Sequence, residues 1–259
     1  MAVVESHETR ERGAPDQSSA TRASVVTIGA FDGSGFTGVP LDLRVAQAMD
    51  VHAASVTTAV LWTTAGKTRV VKLPPRVIAN QIDSHLRGTG TPVCLVGSLP
   101  TPEVVRSVSE RLRRRFLGQL VFRPVILERD GARILDAEGV RRLRPLLGRA
   151  ACVIIDRADT FELCTRAGGS EEAAAKELVE RGAAMVIVRS PADDIAWDGD
   201  SLRRLPGESR RGSTGFLAAA VSCRLAAGGS VAEACEFAWR WLDKLPQTGA
   251  GQPILVGNG

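Results

Sequence analysis

The chain has 259 residues, 44% of them hydrophobic, enough to bury one large core, and a formal net charge of +4. Its positive charge lies mostly in scattered arginines, with a cluster at Arg111, Arg113, Arg114 and Arg115 that lacks interleaved aromatics or a DNA-reading motif, so a solvated helix face is expected there rather than nucleic-acid binding. No apolar run is long enough to span a bilayer, and the three histidines have no ligand spacing, so neither a membrane partner nor a metal site is expected.

Residues 1–23 are polar and charged and read as a disordered leader to a single domain over 24–259. The first strand is expected at Ser24–Ala30, followed by the glycine-rich turn Gly29-Ala30-Phe31-Asp32-Gly33-Ser34-Gly35-Phe36-Thr37-Gly38 and a helix over Val39–Asp50. Such a turn aims backbone N–H groups at an anion or polar ligand, but its spacing is neither a dinucleotide fingerprint nor a P-loop. Further strands are expected at Ala54–Trp62, Val93–Gly97, Leu120–Ile126, Cys152–Ile155 and Ala184–Arg189. Helices are expected at Pro74–Arg87, Thr101–Arg115, Ala137–Leu147, Thr160–Arg166 and Ser170–Arg181, the second and third of all the helices opening on prolines suited to a first turn. Ile195–Pro206 reads as a hairpin turning at Asp198-Gly199. Two closing helices, Thr214–Ala227 and Ser230–Leu245, flank Gly228-Gly229. The alternation of apolar strands with amphipathic helices predicts stacked β-α units around a mostly parallel sheet. Cys94, Cys152, Cys164, Cys223 and Cys235 are odd in number and sit in apolar or helical runs, as expected of reduced core cysteines in a cytoplasmic protein.

One set of segments carries a family resemblance. Asp32, Ser34-Gly35, Gly38, Asp42-Leu43 and Ser55-Val56-Thr57-Thr58-Ala59 stand in the order of the N-terminal signature of hydroxymethylpyrimidine (phosphate) kinases and pyridoxine kinases. Gly97-Ser98-Leu99, Pro124-Val125 and the turn Gly212-Ser213-Thr214-Gly215-Phe216 continue the correspondence, so the chain resembles a divergent member of this branch of the ribokinase-like family. The resemblance implies a three-layer αβα sandwich with a mostly parallel central sheet, a small-molecule substrate under the first turn, ATP with Mg2+ across the second, and a homodimer. It implies substrate contacts at Asp32, Ser34, Gly35, Trp62 and Ser98, and an anion hole at Gly212, Ser213, Thr214 and Gly215. Nucleotide or phosphate contacts are expected from Asp159, Glu162, Arg189, Arg210 and Arg211.

The departures matter as much. The family turn reads Gly-Thr-Gly-Cys, with Asp replacing Cys in ribokinase relatives, whereas here the catalytic position falls on Gly215 or Phe216, neither of which accepts a proton. The family's Asp-Pro-Val-Met appears as Arg123-Pro124-Val125-Ile126, replacing a carboxylate that would help organise Mg2+ by a guanidinium. The Asn-x-x-Glu motif falls on Asp159 and Glu162 in one alignment and on Arg157 and Thr160 in the other. The Gln-Asn pair after the Thr-Ala strand is replaced around Trp62-Thr63-Thr64. The expectation is a kinase-like protein with a degenerate phosphoryl-transfer site that binds a small heteroaromatic or phosphorylated ligand with weak or no kinase activity. Two alternatives stand beside it: an active kinase of a hydroxymethyl pyrimidine or pyridine in thiamine or vitamin B6 metabolism, with Asp32 as candidate base, and a dimeric interaction or regulatory protein using Phe237, Trp239 and Trp241.

Overall fold

The computed structural model describes residues 23–86, 93–128, 130–164, 169–206, 213–248 and 253–255. In chain order the first half contains β1 (Ser24–Asp32), α1 (Gly38–Ala48), β2 (His52–Thr64), β3 (Lys67–Lys72), α2 (Pro75–His85), β4 (Val93–Val96), α3 (Pro102–Arg115) and β5 (Leu120–Phe122). The second half contains α4 (Ala137–Arg142), α5 (Arg144–Leu147), β6 (Ala150–Asp156), α6 (Arg157–Leu163), α7 (Glu171–Glu180), β7 (Val186–Arg189), β8 (Asp193–Trp197), β9 (Leu202–Pro206), α8 (Ser213–Ala226) and α9 (Val231–Asp243). The nine strands of the described residues join one sheet in the order β3-β2-β1-β4-β5-β6-β7-β8-β9. The six strands from β2 to β7 in that order run parallel, and β3, β8 and β9 extend the two edges antiparallel.

Period-two alternation of side chains sorts the strand residues between two helical layers. Val26 and Ile28 of β1, Cys94 and Val96 of β4, and Val153 and Ile155 of β6 face a core shared with Ile78 and Ile82 of α2, Val104 and Val108 of α3, and Leu178 of α7. Val25, Leu95, Cys152, Ile154 and Ile187 face the opposite core, built with Leu41 and Val45 of α1, Phe216 to Val221 of α8, and Ala234 and Ala238 of α9. Strands buried on both faces explain why these segments read as continuous apolar runs. The three-layer sandwich expected from the sequence is therefore present.

Several boundaries differ from expectation, each for a local reason. An additional strand, β3, closes a hairpin with β2 through Ala65 and Gly66, both at positive φ (49° and 73°), the backbone of a tight two-residue turn. β5 stops at Phe122 rather than Ile126, since Pro124 has no N–H to offer a ladder. The helix expected over Ala137–Leu147 divides at Leu143, beside Pro145. The helix expected at Thr160–Arg166 begins earlier, at Arg157, and ends at Leu163. The predicted hairpin forms as β8 and β9, with the Asp198 carboxylate accepting from the N–H groups of Asp200 and Ser201 at 3.0 and 2.8 Å. The proposed leader, apart from Ala23, lies outside the described residues, as do the expected helix ends at Arg87 and Arg166.

The chain leaves β1 for β2 through α1 on one face of the sheet, then reaches β4, on the other side of β1, through α2 on the opposite face. That reversal opens a crevice at the carboxyl ends of β1 and β4, the place where open α/β sheets bind ligands.

Candidate functional site

A cavity of about 850 Å³ occupies this crevice. Its wall on one side is the β1–α1 turn, contributing Asp32, Ser34, Phe36, Thr37 and Gly38. Asp32 shapes the turn: its carboxylate accepts from the Ser34 N–H at 2.9 Å and from the Ser34 hydroxyl at 2.8 Å, while its carbonyl accepts from the Gly35 N–H at 3.1 Å. Gly38 is obligatory, with φ of 64° and so little space that a Cβ would stand 2.2 Å from the Ala30 carbonyl oxygen. Leu61 and Thr63 of β2 also reach the cavity. Trp62, between them, does not line it, as alternation along a strand requires; it is 45% exposed. Gly35 also lies outside the lining, its carbonyl held by Arg44 at 2.9 Å.

The opposite wall comes from the first turn of α8 and the ends of β5 and β6. Ser213 and Thr214 have their hydroxyls engaged: Ser213 Oγ accepts from Arg189 at 2.5 Å, and Thr214 Oγ1 donates to Asp156 at 2.6 Å. Arg189 is itself buried and ion-paired with the buried Asp194, so its charge is already matched inside the fold. Gly212, Arg210 and Arg211, the remainder of the expected anion site, lie outside the described residues. Asp159 lines the cavity, accepting from the Ile126 and Leu127 N–H groups at 3.1 and 2.9 Å. Burial, helped by the nearby Asp156 carboxylate and opposed by those two N–H groups, pushes the Asp159 carboxyl up to about 7. Glu162 is not brought to this cavity; it is ion-paired with Arg133 at 2.7 Å and faces a separate cavity with Ala137 and Arg141.

The floor is Arg123, only 5% exposed. Its guanidinium runs beneath Gly215 toward Asp42 on α1, reaching Asp42 Oδ2 at 3.7 Å. Two glycines give it room: a Cβ on Gly97 would lie 3.1 Å from Nη2, and a Cβ on Gly215 would lie 2.5 Å from Nη1. At Gly215, therefore, a side chain is missing and Arg123 fills the space it would enter. Phe216, the other position on which the catalytic residue was expected, is buried in the α8-side core. Asp42 accepts from the Thr27 hydroxyl at 2.5 Å, and burial raises its carboxyl pKa against the lowering influence of Arg123 and Thr27. Sequence reasoning noted Asp42, Arg123 and Gly215 separately but not their contact, and it missed Asp156. An acid on the apolar face of α1, among Leu41 and Val45, was the available signal for a buried partner.

As a host for nucleotide and Mg2+, the cavity is mixed. Asp32, Glu128, Asp156 and Asp159 supply oxygen donors on its lining, suited in kind to a hard cation. Among the described residues, however, no three acidic or His/Cys side chains gather as a metal site, and a guanidinium occupies the floor.

Comparison with known proteins matches this arrangement to one family. The phosphomethylpyrimidine kinase family model matches residues 32–252. The chain is 29% identical over 254 residues to a hydroxymethylpyrimidine/phosphomethylpyrimidine kinase of Rhizobium meliloti, covering 92% of this chain and 94% of that protein. It is 28% identical over 257 residues to the Mycobacterium tuberculosis protein of the same description, covering 92% and 93%. Among solved structures, an ADP complex of Bacillus subtilis pyridoxal kinase superposes with a TM-score of 0.78 at 22% identity, over 90% of this chain and 96% of that one. With the fold, the crevice and a match spanning both of its walls, the chain belongs to the phosphomethylpyrimidine kinase family.

Proposed function

We propose that this chain is a divergent hydroxymethylpyrimidine phosphate kinase-like protein whose phosphoryl-transfer site is degenerate, and that it binds a small heteroaromatic or phosphorylated ligand with weak or no kinase activity. The observation that carries the proposal is the Arg123 guanidinium lying where a side chain from Gly215 would project. Phosphoryl transfer to a hydroxymethyl group relies on positioning, on charge stabilisation and on a group that takes the hydroxyl proton, whereas transfer to a phosphomethyl group starts from an oxygen already deprotonated and relies on positioning and charge stabilisation alone. Glycine offers no such group, and a guanidinium stays protonated in proteins. Of the four carboxylates on the cavity wall, three are engaged by donors of the wall itself: Asp32 by Ser34, Asp156 by Thr214 and Asp159 by two backbone N–H groups, with Glu128 beside them.

The test is ADP release from ATP and Mg2+ in the presence of hydroxymethylpyrimidine, its monophosphate or pyridoxal. No turnover above the ATP-only background is expected; rates in the usual enzymatic range of roughly 1–10³ s⁻¹ would reject the proposal.

A second reading, an active ATP- and Mg2+-dependent kinase of a hydroxymethyl pyrimidine or pyridine in thiamine or vitamin B6 metabolism, is favoured by the family match and by the presence of Asp32 on the substrate-side wall. In that case Asp32→Asn abolishes product formation, and activity that survives the change removes Asp32 as the base. ATP would supply the phosphoryl group, and Mg2+ would draw on the Asp156 and Asp159 side of the cavity. A cytoplasmic setting is supported by the five buried cysteines, none of which is disulfide-bonded. The homodimer belongs to the same proposal, supported by the exposed apolar side chains Val60, Trp62 and Val71 on the β2–β3 edge. Trp239 and Trp241 instead pack against the α8-side core, and Phe237 is 37% exposed beneath Arg224. Sedimentation at twice the 27.5 kDa chain mass tests the dimer.

A further inference from the structure

Arg123 is a buried cation with few partners. A guanidinium carries five N–H donors. Among the described residues Asp42 is its ion-pair partner, at 3.7 Å, and Arg123 Nε has no hydrogen-bond partner. Burying charged donors without acceptors is unfavourable, so such an arrangement persists where something else supplies the acceptors or where function requires it. A second polar group at the same floor is in the same condition: Ser98 is 6% exposed and, among the described residues, its Oγ has no hydrogen-bond partner. Arg123 and Ser98 both line the cavity, as do Thr214 and Gly215 from the first turn of the 14-residue α8, whose N-terminal end favours negative charge. The carboxylates of Asp32, Glu128, Asp156 and Asp159 share the cavity, and those of Asp32, Asp156 and Asp159 are held by their own donors on the walls.

We infer that the cavity floor is a subsite for the oxyanion group, carboxylate or phosphate, of a small ligand, with Arg123 as the residue that reads it and Ser98 and the start of α8 as supporting donors. The planar guanidinium fork suits a two-oxygen face, which a neutral hydroxymethyl group does not present. Gly97 and Gly215 serve this subsite by leaving room for the fork. The inference rests on the reading of this cavity as a ligand site, and the two are separable: turnover of a hydroxymethyl substrate would overturn the degenerate-kinase reading, whereas the binding measurements below address Arg123 without nucleotide.

The experiment is isothermal titration calorimetry of the full chain with inorganic phosphate, pyridine-4-carboxylate and its neutral counterpart pyridine-4-methanol. The wild type is expected to bind at least one of the two anions at least about tenfold more tightly than the neutral probe. Preference for pyridine-4-carboxylate over phosphate would assign the subsite to an organic acid; the reverse would assign it to a phosphate ester. Arg123→Gln is expected to erase the anion preference, and Arg123→Lys to keep part of it, since a point charge replaces the fork. Gly215→Ala provides a test that keeps the charge: its methyl group would stand against Nη1, and anion affinity is expected to fall with Arg123 still present. Circular dichroism identifies a variant that has not folded, and if Arg123→Gln is such a variant, the lysine and Gly215 variants decide. Equal binding of anionic and neutral probes by the wild type would overturn the inference. So would an anion preference that persists undiminished in the folded variants.

Discussion

Gly215 and Arg123 come from segments far apart in the chain, yet one is small where the other is large, and the fit between them sets the chemistry of the cavity floor. A cysteine placed at 215 alone does not fit the floor, because its Cβ would meet Arg123 Nη1 at 2.5 Å and Leu41 Cδ2 at 2.7 Å. Gly215→Cys should lower stability by about 1–3 kcal/mol through overpacking, and combining it with Arg123→Asp should cost less than the sum of the single changes. Urea denaturation of the four proteins measures that coupling, and strict additivity would show the two positions to be independent. Asp159 gives a second prediction at this scale. Burial lifts its folded pKa from 3.8 to about 7, so the folded state holds the proton longer than the unfolded chain does. Its contribution to stability is therefore fully present below pH 4 and is lost as pH rises to 7, by on the order of 4 kcal/mol at most. Asp159→Asn keeps an acceptor for the Ile126 and Leu127 N–H groups and removes the titration. Its melting temperature should match the wild type near pH 4 and exceed it near pH 7.5; identical pH profiles would refute the assignment. The sequence revealed Arg123 and Gly215 as departures from a family pattern. Their contact was not legible, because nothing local in either segment refers to the other.

At the scale of elements, α8 is the hinge between site and core. It packs on β1, β4, β5 and β6 and is flanked by α1 and α9, so Ala218, Ala219 and Ala220 are all buried, with at most 2% exposure. Small side chains on every side allow that close approach, and Ala219→Leu is expected to destabilise the fold by about 1–3 kcal/mol. Because the same helix presents Thr214 and Gly215, loss of anion affinity should accompany it, as calorimetry on the folded fraction would show. The neighbouring α9 begins with a reciprocal cap in which the Ser230 hydroxyl accepts from the Glu233 N–H and the Glu233 carboxylate accepts from the Ser230 N–H. Ser230→Ala should cost about 1 kcal/mol in chemical denaturation while leaving ligand binding unchanged. Helices with such caps and long apolar strands were legible from sequence. β3 was not, because a two-residue Ala-Gly turn is a weak signal and Lys67–Lys72 is a short edge strand carrying charges rather than an apolar run. β5 was overextended because apolar residues continue past Phe122, although Pro124 ends the pairing.

For the whole molecule, topology decides where chemistry is possible. The crossover from β1 to β2 on one face and from there to β4 on the other opens the crevice, and β5, β6 and α8 bring Arg123, Asp156 and Gly215 to it. The distant edge is tied to this wall through Asp194 of β8, Arg189 of β7 and Ser213 of α8. Breaking that chain with Asp194→Asn leaves a buried guanidinium without its counter-charge, and a loss of about 3–5 kcal/mol is expected in equilibrium unfolding. A loss below about 1 kcal/mol would mean that the pair is effectively solvated. By itself the sequence determined the layered α/β class and the positions of most strands and helices, because apolar periodicity and turn chemistry are local properties, and its motif segments carried the family resemblance. It also determined that no proton acceptor stands at Gly215 or Phe216. Only the tertiary structure decided that Trp62 turns away from the cavity, that Arg189 is already paired and that Glu162 faces elsewhere. It alone placed Arg123 in the space beside Gly215, because steric complementarity between distant segments exists only once the sheet has brought them together.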